Sequence, residues 1–204
     1  MHIRSISEVF TDFQASLSRP EVTVADILEA LHERGFGFLL LVFSLPAMIP
    51  IPGISAVLAA PLIFLTSQQA IGRHTVWIPD NVKNKGVARD QLNRLLNMVL
   101  PWLKRLEFIF QPRLSFVTGG IFSNITGILG VTMSLTIMIP LPLTNTVPGF
   151  GISLMAIGII MRDGLAVLAG AAIGTTWVFL LFLAALFFGA EGFDMIKETI
   201  KSYL

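Results

Sequence analysis

Phe43–Pro52 reads FSLPAMIPIP, and 90 positions later Met133–Pro142 reads MSLTIMIPLP. A proline inside a helix removes an amide donor and clashes with the preceding turn. Pro46, Pro50, Pro52 and Gly53 form one cluster of breakers, and Pro140, Pro142, Pro148 and Gly149 form a second. No straight helix passes through either. Around these breaks, Arg34–Arg73 aligns with Asn124–Asp163 without a gap, and nine positions are identical: Gly37/Gly127, Leu39/Leu129, Ser44/Ser134, Leu45/Leu135, Met48/Met138, Ile49/Ile139, Pro50/Pro140, Pro52/Pro142 and Val57/Val147. Shared apolar composition gives scattered matches, but not MIP-x-P twice at one offset. The segment is therefore expected to be duplicated, and interrupted segments repeated in two halves point to a transport site.

The flanks of the breaks are apolar. No Asp, Glu, Lys, Arg or His lies between Phe36 and Ile71, between Leu114 and Met161, or between Leu165 and Ala190. The whole chain of 204 residues is 54% hydrophobic and 13% charged, with a mean hydropathy of +0.77. A soluble domain carries about 25% charge, so the uncharged windows belong in lipid. A spanning helix needs about 20 apolar residues. The arm Phe36–Ile49 is short of that and the arm Ile54–Ile71 nearly meets it, so the first window is expected to be a broken hairpin, re-entrant or fully spanning. Ser115–Ile139 and Phe150–Met161 make the second. Leu165–Gly189 is one uninterrupted span, and its small residues Ala169, Gly170, Ala171, Ala172 and Gly174 permit close helix packing.

The remaining segments are amphipathic. Ile3, Ile6, Val9, Phe10, Phe13 and Leu17 recur at helical spacing. Arg19-Pro20 ends that helix, and Thr23-Val24-Ala25-Asp26 has the form of a capping box that opens another, running to Glu33-Arg34. The opening MHIRSISEVFTDF is not expected to act as a signal peptide, since it lacks a basic stretch followed by an apolar one. Residues 73–113 hold Arg73, Lys83, Lys85, Arg89, Arg94, Lys104, Arg105 and Arg113 against Asp80, Asp90 and Glu107. Leu92, Leu95, Leu96, Val99, Leu103, Leu106 and Ile109 repeat at helical spacing there, with Trp77 and Trp102 alongside. This predicts helices lying in the membrane interface, on the cytoplasmic side together with the N-terminus. The expected fold is an all-α membrane protein in one membrane domain. Its parts are amphipathic helices over 1–35, a broken hairpin over 36–72, a basic interfacial segment over 73–113, a second broken hairpin over 114–163, and a transmembrane helix with an amphipathic tail over 164–204. Whether the repeats run parallel or inverted stays open.

Several blocks in one order resemble the exopolysaccharide synthesis ExoD family, over about Ile27 to Leu186. They are HERGFGFLLLVFSLPAMIPIPG (His32–Gly53), IGRHTVWIP (Ile71–Pro79), LPWLKRLE (Leu100–Glu107) with QPRL after it, IPLPLTNTVPGFGIS (Ile139–Ser153) and RDG (Arg162–Gly164). The resemblance implies a small polytopic protein of the bacterial inner membrane, linked to exopolysaccharide production and alkaline tolerance. One departure is Gly53-Ile54-Ser55, where a polar side chain is expected directly after the first break.

Little in the chain points to covalent chemistry. There is no cysteine, and His2, His32 and His74 all lie outside the apolar windows, so no metal cluster is expected. No Gly-x-Ser-x-Gly elbow, phosphate-gripping glycine loop or carboxylate pair occurs. No catalytic residue, cofactor or nucleic-acid partner is expected. The candidates for binding are the residues after the breaks at Pro50, Pro52, Pro140 and Pro142, namely Gly53, Ser55, Thr144, Asn145 and Thr146. A helix that restarts there begins with free amides and a positive dipole end. Two such starts facing each other would suit an anion, while carbonyls freed on the other side of each break would suit a cation. In plainer terms, the same residues only cap helix ends. The absence of a carboxylate from the windows argues against a buried proton carrier. The expected function is a transporter or channel-like protein for a small ion, an anion by preference. The alternative is a non-transporting accessory of exopolysaccharide assembly, with the helix at 82–111 as its docking surface. Expected partners are membrane lipids, the small ion and a second copy of the chain, packed through the small residues of 165–176 unless that face packs inside the protomer.

Overall fold

A computed structural model describes residues 5–17, 19–49, 54–139 and 144–203. Pro50, Pro52, Gly53, Pro140 and Pro142 lie outside the described residues. The described elements are α1 (Ile6–Ser16), β1 (Glu21–Thr23), α2 (Val24–Leu31), α3 (Gly35–Ala47), α4 (Ile54–Ala70), α5 (Asp80–Lys83), β2 (Gly86–Ala88), α6 (Arg89–Ile109), α7 (Gly120–Met138), α8 (Thr146–Met161) and α9 (Gly164–Tyr203). Apart from one short ribbon the fold is helical.

The apolar windows become α3, α4, α7, α8 and the first part of α9. Two of these are long and apolar enough to cross a membrane, Gly120–Met138 with 19 residues and Gly164–Phe187 with 24. Only 33% of each is buried. A core helix of a water-soluble protein would hide most of that surface. Here Ile121, Ile125, Ile128 and Leu135 of α7 face outward, as do Leu165, Leu168, Phe179, Phe182, Leu186 and Phe187 of α9. Each such side chain gains about 1.5–3 kcal/mol on leaving water, so this surface calls for an apolar solvent. Gly189 (φ 56°, ψ −140°) kinks α9 at the end of the apolar run, a conformation glycine adopts without steric cost.

Packing among these helices crosses between the two windows. α3 lies on α8 and α4 lies on α7, while α3 also meets α4, and α8 meets α9. Leu40, Ala47, Ala59, Leu62, Met133, Ile137, Ile152, Met155, Ala156 and Val167 form the core between them. Glycines set the closest approaches. A Cβ on Gly37 would strike the Ala156 carbonyl and the Ile160 side chain. One on Gly127 would strike the backbone of Gln69 and Ala70. Gly170 lies against the Gly151 carbonyl and Met155, and Gly174 against the Met133 side chain. These two glycines, expected from sequence at a subunit contact, are therefore covered within the protomer, as the stated alternative has it. Ala169 and Ala172 remain exposed on the other side of α9.

A second core joins α1 and α6 to the bundle. It holds Ile6, Phe10, Leu17, Val22, Leu31, Leu92, Leu96 and Leu103, with Ile160 and Met161 from the end of α8. Ser5 and Glu8 form a capping box on α1, and Thr23 and Asp26 form the box expected on α2. The Asp26 carboxylate accepts the Thr23 amide and hydroxyl, both at 2.8 Å, and these bonds hold its pKa below the usual value. Glu107 of α6 accepts from the amide and hydroxyl of Ser7, both at 2.7 Å. Arg34 is buried nearby. Desolvation, followed by the Arg162 charge, presses its pKa down, and Glu107 opposes them. β1 and β2 pair antiparallel with Val22 opposite Val87, and Arg89 N–H donates to the Pro20 carbonyl at 2.9 Å.

Candidate functional site

The flanks of the two breaks meet at one end of the bundle. Thr146, the first residue of α8, donates from Oγ1 to the Met48 carbonyl just past α3, at 3.0 Å. Gly149, one turn on, lies against Met48, and a Cβ there would sit 3.0 Å from its Cγ. Ser44 Oγ and Ser153 Oγ are 2.7 Å apart and buried, and Ser153 Oγ also reaches Met48 Sδ at 3.6 Å. The glycine lets α8 sit down on the end of α3, which brings these hydroxyls within reach.

Each break carries one more hydroxyl contact of a common kind. Ser55 Oγ donates to the Ile49 carbonyl at 3.2 Å, and Thr144 Oγ1 to the Ile139 carbonyl at 2.8 Å. Ile49 and Ile139 are matched positions of the two sequence halves. The last carbonyls of a helix lack partners inside it, and each hydroxyl satisfies one across a break. Ser55, Thr144 and Asn145 are all buried. Asn145 stands at the N-cap of α8 without making a capping hydrogen bond, and its Oδ1 lies 3.1 Å from Thr144 Oγ1. Ser55, Thr144 and Thr146 each donate to a carbonyl at the end of α3 or α7. Gly53 and the four break prolines lie outside the described residues. Among the described residues no group of three or more His, Asp and Glu is placed to hold a metal ion.

The opposite end of the bundle gathers the starts of α3, α7 and α9 and the ends of α4 and α8. Gln69 Nε2 at the end of α4 donates to Ser123 Oγ in α7 at 3.2 Å. Gly72 lies against Asn124, and Gly164 N–H donates to the Arg113 carbonyl at 2.6 Å. Phe36 from the start of α3 and Ile159 from the end of α8 line one small pocket with Gln69, Gly72, Ser123 and Asn124. α3 and α7 thus start, and α4 and α8 finish, at a common end. Gln68 spends its amide on the Trp77 backbone, with Nε2 to the carbonyl at 3.0 Å and Oε1 from the N–H at 2.8 Å. Neither glutamine stands out in the sequence reading. Their signal was two amides at the tail of an otherwise apolar helix.

A model of the family described as "Exopolysaccharide synthesis, ExoD" matches residues 6–183. The chain is similar to "Protein ExoD" of Rhizobium meliloti (strain 1021), 32% identical over 173 residues that cover 82% of this chain and 72% of the relative. It is also similar to an uncharacterized protein of Synechocystis sp., 31% identical over 190 residues that cover 91% of this chain and 88% of the relative. No solved structure matches. The family and the two spanning-length apolar helices are together consistent with a bacterial membrane protein.

Proposed function

The chain belongs to the exopolysaccharide synthesis ExoD family, and on that premise we propose that it passes a small ion, an anion by preference, between two duplicated helical hairpins of the inner membrane. It performs no covalent chemistry in this proposal. The observation that carries it is the group of hydroxyls where the two halves meet: Ser44 and Ser153, both buried, and the half-buried Thr146, around Met48. In lipid each of these hydroxyls must be satisfied, and those at this junction are satisfied by bonds to the other half.

The duplication is supported by the glycine contacts. Gly37 meets Ile160, and Gly127 meets Ala70. Adding 90 to the first glycine and subtracting 90 from its partner turns one contact into the other. Both hairpins open at the common end, which makes the repeats parallel, with a pseudo-two-fold axis along the membrane normal. The 13 residues of α3 extend about 20 Å and the 19 of α7 about 28 Å. Against a hydrocarbon core of about 30 Å, the breaks then lie toward the far leaflet rather than at the midplane. The open end carries the basic segment 73–113 and faces the cytoplasm with the N-terminus. Cysteines introduced at Lys85 and Asn97 should resist an impermeant thiol reagent in whole cells, and labelling from outside would reverse this orientation. The contact of a homodimer falls on the exposed edge of α9 at Leu165, Leu168, Ala169 and Ala172.

Purified protein in liposomes, assayed with labelled anions, Na⁺ and pH dyes, tests the proposal. Flux of at least one ion should appear and should fall with Ser153→Leu; no flux for any of them sinks it. A second function, accessory subunit of exopolysaccharide assembly, is favoured by α6. Leu95, Met98, Trp102 and Ile109 are exposed along one stripe of it, and Arg105 lies over the Trp102 ring at 5.2 Å. Asn145→Leu and the joint neutralisation of Lys83, Lys85, Arg89 and Arg94 separate the two functions. Loss of exopolysaccharide only on neutralisation, with the fold intact, favours the accessory.

A further inference from the structure

The pocket at the open end is built differently from its surroundings. It has a volume of about 130 Å³, with Gln69, Arg73, His74, Ser123 and Asn124 among its lining and Gly119-Gly120 at its rim. Gln69 is only 2% exposed, yet Oε1 has no hydrogen-bond partner among the described residues. The other end of the amide is engaged, Nε2 donating to Ser123 Oγ at 3.2 Å, which leaves Oε1 as the open end. Gln68 beside it has both ends engaged. Buried polar groups are seldom left this way unless a ligand or water completes them.

Three further features say what completes it. α7 begins at this pocket with no side-chain cap on its N-cap Gly119, and its 19 residues direct a positive dipole end outward. Nothing lies within 4 Å of where side chains on Gly119 or Gly120 would begin, so the approach to the first amides is open. Arg73, exposed at the rim, adds a full positive charge. Amides and a guanidinium are suited to an oxyanion, while Gln69 Oε1 requires a donor.

We propose that this pocket binds a phosphate group that carries a hydroxyl. The oxyanion faces Arg73 and the first amides of α7, and the hydroxyl donates to Gln69 Oε1. Inorganic hydrogenphosphate and a phosphatidylglycerol headgroup both present this chemistry. The site is separate from the breaks, which lie about 25 Å away along the 17 residues of α4, and it stands whether or not the protein conducts ions.

The full chain in neutral detergent tests it with two probes. Inorganic phosphate is titrated and followed by ³¹P line broadening, and retained lipid is counted by native mass spectrometry after exposure to phosphatidylglycerol or phosphatidylcholine. The positive probe should weaken at least ten-fold in Arg73→Gln and in Gln69→Leu, and should not change in Lys104→Gln, which removes the same charge elsewhere. Because Arg73 is exposed, its variant keeps the fold even where Gln69→Leu does not. Phosphate binding alone identifies the free ion, and selective retention of phosphatidylglycerol identifies the headgroup. Binding of neither probe, or an equal loss in Lys104→Gln, overturns the proposal.

Discussion

Ser44 and Ser134 stand 90 positions apart, one in each half of the bundle, and both are fully buried. Ser44 reaches out of α3 to Ser153 of α8. Ser134 turns inward and donates to the Gly130 carbonyl of its own helix at 2.7 Å. The difference lies in what faces them, for the position matched to Ser153 is Ile63. The same contrast recurs at the open end, where Gln69 is matched by Ile159. Close backbone contacts are alike in the two halves, as Gly37 and Gly127 illustrate, but the polar contacts are not: Ser44–Ser153 lies between α3 and α8, and Gln69–Ser123 between α4 and α7. A helix–helix approach tolerates little change in volume, whereas a hydroxyl can be lost if its partner is lost as well.

The largest effects should come from the shared frame. Leucine at Gly37 or at Gly127 overfills a helix contact, and each should cost more than about 3 kcal/mol. Neither variant should yield monodisperse protein in detergent gel filtration; a well-behaved Gly127→Leu would break the equivalence of the halves. Gly170→Leu and Gly174→Leu come next. Both should lower the melting temperature sharply, because these glycines pack against α8 and Met133 inside the protomer. An unchanged melting temperature with a halved mass by light scattering would move them to a subunit contact. Ser44→Ala should cost about 1 kcal/mol, since it strands Ser153, and Ser134→Ala should cost less, since it removes only a bond to its own helix. Equal losses in thermal denaturation would erase the asymmetry between the halves. A further effect, of the size of Ser44→Ala, lies outside both. Thr23→Ala removes the α2 cap, worth about 1 kcal/mol. Because the folded Asp26 pKa lies below the ordinary value of 3.8, its stabilisation is complete above that pH and fades as pH falls through the lower, folded value. A melting curve insensitive to pH in that range in wild type would remove the box.

The sequence made the helical windows legible, along with the Thr23–Asp26 box. It could not say which arm lies on which. Gly37 and Gly127 announce a close approach but not its partner, and the cross-pairing of α3 with α8 and α4 with α7 depends on surfaces far apart in the chain. Ser55 and Thr144 read as caps for the amides ahead, and because a hydroxyl both donates and accepts, nothing in the sequence shows that they reach the carbonyls behind. Strands of three residues leave no readable alternation, which hid the ribbon. Gln69 was hidden for another reason, because an amide near a helix end usually faces solvent, and its burial depends on Ser123 standing opposite.

The pairing of Val22 with Val87 also bears on how the protein is made. A ribosome completes α3 and α4 before it reaches Gly86–Ala88, so the ribbon can close around them while α7 and α8 do not yet exist. Until synthesis passes residue 161, Gly37 and the Gln69–Ala70 backbone wait without the helices that cover them. Biogenesis, more than the finished fold, is the stage at which this chain is most open to misassembly.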